Sequence, residues 1–170
     1  ELTVAAGLGT LQAGNVKPED VDHVIIGNVV QSASDAAYLA RHVGLKMGIP
    51  EHVGAYNVNR LCGSGFQSWI SAAEMILTGS ANCVLAGGVE QMSQVPYVQR
   101  KVRFDGLRMG NFELEDLMTA ALTDAHVKMP MAITAENLGE IYKITREQCD
   151  QYSIKSQQRY KMALDKNLFA

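Results

Sequence analysis

At 170 residues, 47% hydrophobic and 19% charged, the chain is long enough to bury a real core as one domain. A net charge of −3 argues against a nucleic-acid partner or a polybasic membrane anchor, and no apolar run reaches the length of a membrane span. The three cysteines, Cys62, Cys83 and Cys149, make no C-x-x-C pair and have no histidine at a ligand spacing, so no metal site is expected. Their odd number suits free thiols in a reducing compartment.

Leu2 to Ala13 is apolar and Ala-rich and predicts a helix ended by Gly14. Pro18-Glu19-Asp20 predicts a short turn, and Val24 to Val30 a strand buried on both faces. After a polar loop from Gln31 to Asp35, Ala36 to Met47 reads as a helix closed by Gly48 and Pro50. The chain starts at Glu1 with no initiator Met and stops at Ala170 without a closing element, so both ends read as cut.

The stretch from Ala55 to Glu90 carries the most chemistry. Tyr56 to Leu61 has strand character, and Cys62-Gly63-Ser64-Gly65 leads into an apolar-periodic segment that runs to Leu77. Ser64-x-x-Gln67 has the spacing of a capping box. A cysteine at such a strand-to-helix turn faces helical N–H groups that have no intrahelical partner. Those groups and the helix macrodipole favour a thiolate and can bind an oxyanion. Gly63-Ser64-Gly65 does not fit G-x-S-x-G, because Cys62 and Phe66 hold the outer positions, so the candidate nucleophile is Cys62 and not Ser64. Gly79 ends the helix, and Cys83 to Ala86 predicts a second buried strand ending at Gly87-Gly88. Strand, helix, strand, helix, strand is the pattern of a right-handed parallel α/β sheet, with its site beyond the carboxyl ends of the strands.

Ser93 to Glu113 has little periodicity and carries the cluster Arg100, Lys101, Arg103 and Arg108, which predicts a long loop excursion. Thr134 to Lys143 and Arg146 to Asn167 predict two helices, the second capped by Thr145-x-x-Gln148. Each singled-out residue also has a plain structural reading. Cys83 opens an apolar strand and reads as a packed core thiol, and Cys149 as a half-buried helix residue. Glu90 reads as a satisfied structural carboxylate before an acid or base. The stripe Trp69, Ala72, Ala73, Ile76 and Leu77 reads as core packing.

NRLCGSGFQS at 59–68, GGVEQMSQVPY at 87–97 and MAITAEN at 131–137 resemble, in order, the three N-terminal signatures of the thiolases. The resemblance is nearest to the 3-ketoacyl-CoA (acetyl-CoA acyltransferase) type of fatty-acid β-oxidation. It runs nearly the whole chain and includes SDAAYLARHVGLKMGIP at 34–50 and SQQR at 156–159. It implies an α/β thiolase-like fold: an incomplete N-terminal mixed, mostly parallel sheet with covering helices, plus part of the helical loop domain. Residues 1–92 would be the partial N-terminal domain and 93–170 the partial loop domain. The missing first strand would be central, in the order 3-2-1-4-5.

The activity that the resemblance implies is thiolytic cleavage of a 3-ketoacyl-CoA to acetyl-CoA and a shortened acyl-CoA through an acyl-Cys62 intermediate. CoA would be a substrate, and no cofactor is implied. Met131 matches a position that contacts the pantetheine arm, and Pro130 stands where biosynthetic-type thiolases carry histidine. The family's remaining acid–base groups, a histidine in G-H-P and a cysteine in C-x-G, have no counterpart in this sequence, so this chain alone is not expected to turn over. The strand near Tyr56 to Arg60 would join subunits into a homodimer or homotetramer, and the β-oxidation type implies the mitochondrial matrix. Two other readings stay open: another thiolase-fold condensing enzyme, and a noncatalytic lipid- or nucleotide-binding α/β module.

Overall fold

Val24, Ile25 and Ile26 are the most deeply buried consecutive residues of the molecule, at 1%, 0% and 2% exposure. They form strand β1 (His23–Gly27), and removing each from water contributes about 2 kcal/mol. In the computed structural model, which describes residues 1–107 and 109–169, the chain divides into two compact units, Glu1–Thr119 and Ala120–Ala170.

In the first unit, β2 (Gly54–Val58) and β3 (Val84–Gly88) both pair with β1 in parallel, in the order β2–β1–β3. Val24 lies between Ala55 and Leu85, and Ile25 between Tyr56 and Ala86. Helices α1 (Leu2–Gly14) and α2 (Leu39–Lys46) pack with Val24 and Ile26, sharing the core of Leu11, Ala40, Val43, Met47, Ile49 and Val53. Helix α3 (Ser64–Leu77) packs on β1 and β3. Because β1 leads outward to β2 and the chain then crosses back to β3, the topology switches between β1 and β3. Ligand sites of open α/β sheets gather at such a point.

β1 hydrogen-bonds to β2 along one edge and to β3 along the other. A strand has only two edges, so the expected central place for a preceding strand, between β1 and β3, is closed. Three further expectations are corrected. β1 stops at Gly27 rather than Val30, because the amides of Val29 and Val30 turn to the Glu90 carboxylate. β2 stops at Val58 rather than Leu61, because Asn59 Oδ1 takes the Leu61 N–H at 2.9 Å. β3 is half-buried rather than buried.

Long-range side-chain bonds fix this frame. Asn57 on β2 accepts from Ala40 N–H at 2.8 Å and donates to Ala36 O and Ala37 O, holding the 3₁₀ turn Ala36–Tyr38 that precedes α2. Asp22 Oδ2 accepts from the amides of Asn82 (2.6 Å) and Cys83 (3.0 Å), while Asp22 N–H donates to Cys83 O. These bonds hold the Asp22 carboxyl below the usual carboxylate range and fix where β3 begins.

Beyond β3 the excursion carries short elements among the described residues. β4 (Tyr97–Val98) and β5 (Glu115–Asp116) pair antiparallel, with α4 (Val102–Asp105) between them and α5 (Leu117–Leu122) after them. In the second unit, β6 (Thr123–Asp124) and β7 (Met129–Pro130) form a short hairpin that leads into α6 (Met131–Ile141) and α7 (Arg146–Asp165). The expected cap of α7 is present: Gln148 N–H donates to Thr145 Oγ1 and Thr145 N–H to Gln148 Oε1. Neither α6 nor α7 has a buried residue. No described helix is long and apolar enough to cross a membrane.

Candidate active site

Cys62 is a free, exposed thiol at the turn between β2 and α3, two positions before the helix begins. The turn is built from its neighbours. Leu61 adopts a left-handed backbone, φ +49°, which is uncommon for a residue with a side chain. Ser64 Oγ donates to Leu61 O at 2.6 Å and accepts from Arg60 N–H at 2.9 Å. Ser64 therefore closes the turn, and the expected capping box with Gln67 does not form; Gln67 Oε1 instead accepts from the Arg60 guanidinium at 2.8 Å. The amide of Ser64 goes to Leu61 O and that of Gln67 to Gly63 O. The Gly65 and Phe66 amides between them have no intrahelical acceptor, as at any helix start. An exposed sulfur beside such donors can attack a carbonyl carbon while the backbone receives the resulting oxyanion.

Two glycines lower the helix start onto the sheet. A Cβ on Gly27 would stand 2.6 Å from the Ser64 carbonyl oxygen and 2.9 Å from Gly65 N. One on Gly88 would stand 3.2 Å from Gly65 Cα. The face of α3 turned to the sheet is accordingly small: Ser64, Ser68 and Ala72 are its buried residues. The predicted apolar stripe is not core packing here. Ala72 alone of it is buried, while Trp69 is 60% and Leu77 85% exposed. Close backbone approach leaves room only for small residues beneath the helix, so the bulky ones point away.

Glu90 closes the other side of the switch point. Its carboxylate accepts from Asn28 Nδ2 (2.9 Å), Val29 N–H (3.0 Å) and Val30 N–H (3.0 Å), and Asn28 Nδ2 also reaches Val89 O. This is the satisfied structural carboxylate expected at this position. Its bonds tie the loop after β1 to the segment that follows β3.

Other predicted residues fall as follows. Cys83 is partly buried against the core, and burial, with the charges of Asp22 and Asp20, pushes its thiol up. Cys149 is exposed on α7 rather than half-buried. Met131 opens α6 in the second unit, with 49% of its surface exposed. Arg100 is paired with Glu115, the residue facing Val98 across the β4–β5 pair, and that hydrogen bond raises its pKa. Arg108 lies outside the described residues. An open cleft of about 480 Å³ lies on the α1–α2 side, lined by Asn28, His42 and Glu90 among others; Cys62 is not part of its wall. Sequence reasoning missed the roles of Gly27, Asn28, Asn57 and Asn59. Only Gly27 carried a signal, a glycine inside an otherwise bulky apolar run.

The whole chain, residues 1–170, matches the family described as Thiolase, N-terminal domain. It is 55% identical over 170 residues to the mitochondrial 3-ketoacyl-CoA thiolase of Mus musculus, covering 99% of this chain and 43% of that protein. A crystal structure of human mitochondrial 3-ketoacyl-CoA thiolase in complex with CoA superposes with a TM-score of 0.92 at 53% identity, over 99% of this chain and 43% of that one. The Bacillus anthracis acetyl-CoA acetyltransferase superposes at 0.90 with 38% identity, over 99% and 42%. The chain thus spans less than half the length of the relatives it matches.

Proposed function

We propose, for a chain that belongs to the thiolase family and has its α/β fold, that the full-length protein is an acetyl-CoA C-acyltransferase acting on 3-ketoacyl-CoA. The observation that carries this reading is the exposed Cys62 sulfur at the glycine-lowered start of α3. In the proposed reaction the Cys62 sulfur attacks the keto carbon, and unpaired backbone amides at the start of α3 are the candidate donors to the negative charge on its oxygen. The carbon–carbon bond then breaks, its electron pair leaves on acetyl-CoA as a carbanion that takes up a proton, and the shortened acyl group stays on Cys62 as a thioester. The thiolate of free CoA attacks that thioester and restores the Cys62 sulfur. The base that activates the thiols and the acid that protonates the carbanion belong to the part of the protein outside this chain. CoA enters as a substrate, and these steps balance without a further cofactor.

The same reading takes residues 1–92 as the N-terminal α/β domain and 93–170 as part of the loop domain, with Met131 against the pantetheine arm. β2 is an edge strand, and a free edge is a pairing surface. We assign to it the contact of a homodimer or homotetramer, for which a monomer in sedimentation of the full-length protein would be contrary evidence. The mitochondrial relatives support a matrix location. The functional test is thiolysis of acetoacetyl-CoA: the full-length protein should release acetyl-CoA, and Cys62→Ser and the isolated 170-residue chain should not. Sustained turnover by either would overturn the assignment.

A further inference from the structure

We infer that Asn59 is a positioning residue for Cys62, acting through the backbone of Leu61; this rests on the acyl-accepting role proposed above. Leu61 holds φ +49° although its side chain is 63% exposed, so burial does not keep it there. Its peptide groups are held instead. Asn59 Oδ1 takes the Leu61 N–H at 2.9 Å, and Ser64 Oγ donates to the Leu61 carbonyl at 2.6 Å. Ser64 is part of α3 and moves with it. Asn59 links the turn to the loop that follows β1, because its Nδ2 donates to Val29 O at 3.4 Å. The N–H of Val29 is in turn bound by Glu90 Oε2 at 3.0 Å.

A hydrogen-bonded path therefore runs from Glu90, anchored at the end of β3, through the Val29 residue and the Asn59 side chain to the residue before the nucleophile. Rotation about the Leu61 backbone swings Cys62 and its sulfur relative to the Gly65 and Phe66 amides. Without Asn59 the leucine relaxes toward negative φ, the conformation that its Cβ favours, and the sulfur leaves its attacking position. A glycine at position 61 has no such preference and needs no side chain to hold it.

The test uses the full-length protein with Asn59→Ala, Asn59→Ala/Leu61→Gly and Cys62→Ala, assayed for thiolysis and thermal melting. Asn59→Ala is expected to lower kcat about 10- to 100-fold, with KM for the ketoacyl substrate unchanged. Adding Leu61→Gly should restore kcat to within about threefold of wild type. Wild-type kcat in Asn59→Ala, a loss explained wholly by a smaller folded fraction, or a double variant as slow as the single one would overturn the inference. If Asn59→Ala is insoluble, the double variant decides: soluble and active supports the inference, insoluble or inactive overturns it. Thiolysis by Cys62→Ala would overturn the acyl-accepting role itself and the inference with it.

Discussion

Gly27 and Ser64 meet backbone to backbone: a methyl group on the strand residue would stand 2.6 Å from the carbonyl carbon and oxygen of the helix residue. Neither atom belongs to a flexible side chain, so the contact cannot be relieved locally. Gly27→Ala must lift the start of α3 from β1. The expected cost is about 1–3 kcal/mol, as for other overpacked sites. A denaturant titration that leaves the unfolding midpoint of Gly27→Ala at the wild-type value would show that the helix start is not seated as described.

Glu90→Gln tests the clamp at the ends of β1 and β3. The carboxylate has an acceptor for each donor around it, Asn28 Nδ2, Val29 N–H and Val30 N–H. An amide replaces one acceptor oxygen by an NH₂ group and sets donor against donor. Hydrogen bonds to a charged group typically contribute about 1.5–3 kcal/mol, and a loss at the lower end of that range is expected. The midpoint should fall with the m-value unchanged. A midpoint equal to that of wild type would contradict the clamp.

Asp22 makes stability depend on pH in the acid range. Its folded pKa lies below the usual value because the amides of Asn82 and Cys83 donate to it. In that window the folded chain binds fewer protons than the unfolded one, so the stabilisation is present above the unfolded carboxylate pKa. It is lost as pH falls below about 4 and through the folded value. Asp35, beside His42, and Asp116, beside Thr119, are shifted in the same direction. Asp22→Asn should therefore flatten the acid limb of a melting-temperature profile without abolishing it. An unchanged slope below pH about 4 would exclude a folded-state role for the Asp22 bonds.

The thiols should separate by reactivity. Cys62 is exposed beside a helix start, whereas Cys83 is partly buried and its pKa is raised. Cys149 is exposed but lies inside α7 rather than ahead of a helix. With limiting iodoacetamide near neutral pH, Cys62 is expected to be alkylated about tenfold faster than Cys83, and faster than Cys149. Peptide mapping over a time course gives the three rates, and equal rates at Cys62 and Cys83 would count against the elbow geometry.

Much of this architecture is legible in the sequence because it rests on local pattern. The apolar run at Val24 to Ile26, the Thr145/Gln148 box and the Cys62 turn announce β1, the start of α7 and the elbow from their own residues. The ends of the strands depend on particular side-chain bonds that the apolar pattern does not reveal. The true ends of β1 and β2 are set by Glu90 and Asn59, side chains acting across the sheet or back onto the turn. The apolar stripe of α3 could not reveal its direction, since that follows from the room left by Gly27 and Gly88. A place for a preceding strand beside β1 is not legible from local pattern either, because strand order is a property of pairing, and β1 pairs on both sides. Family resemblance supplied the chemistry, but the bonds that hold the elbow are visible only in three dimensions.

Acyl transfer to the Cys62 sulfur can be read directly on the trapped enzyme. Full-length protein exposed to acetoacetyl-CoA without free CoA, quenched in acid and digested with trypsin, should carry an acetyl group on the peptide that begins at Leu61. Fragment ions should place that group on Cys62. An acyl group found on Cys83, which shares that peptide, or on Cys149, or no acyl-enzyme in a preparation that turns over, would contradict the account.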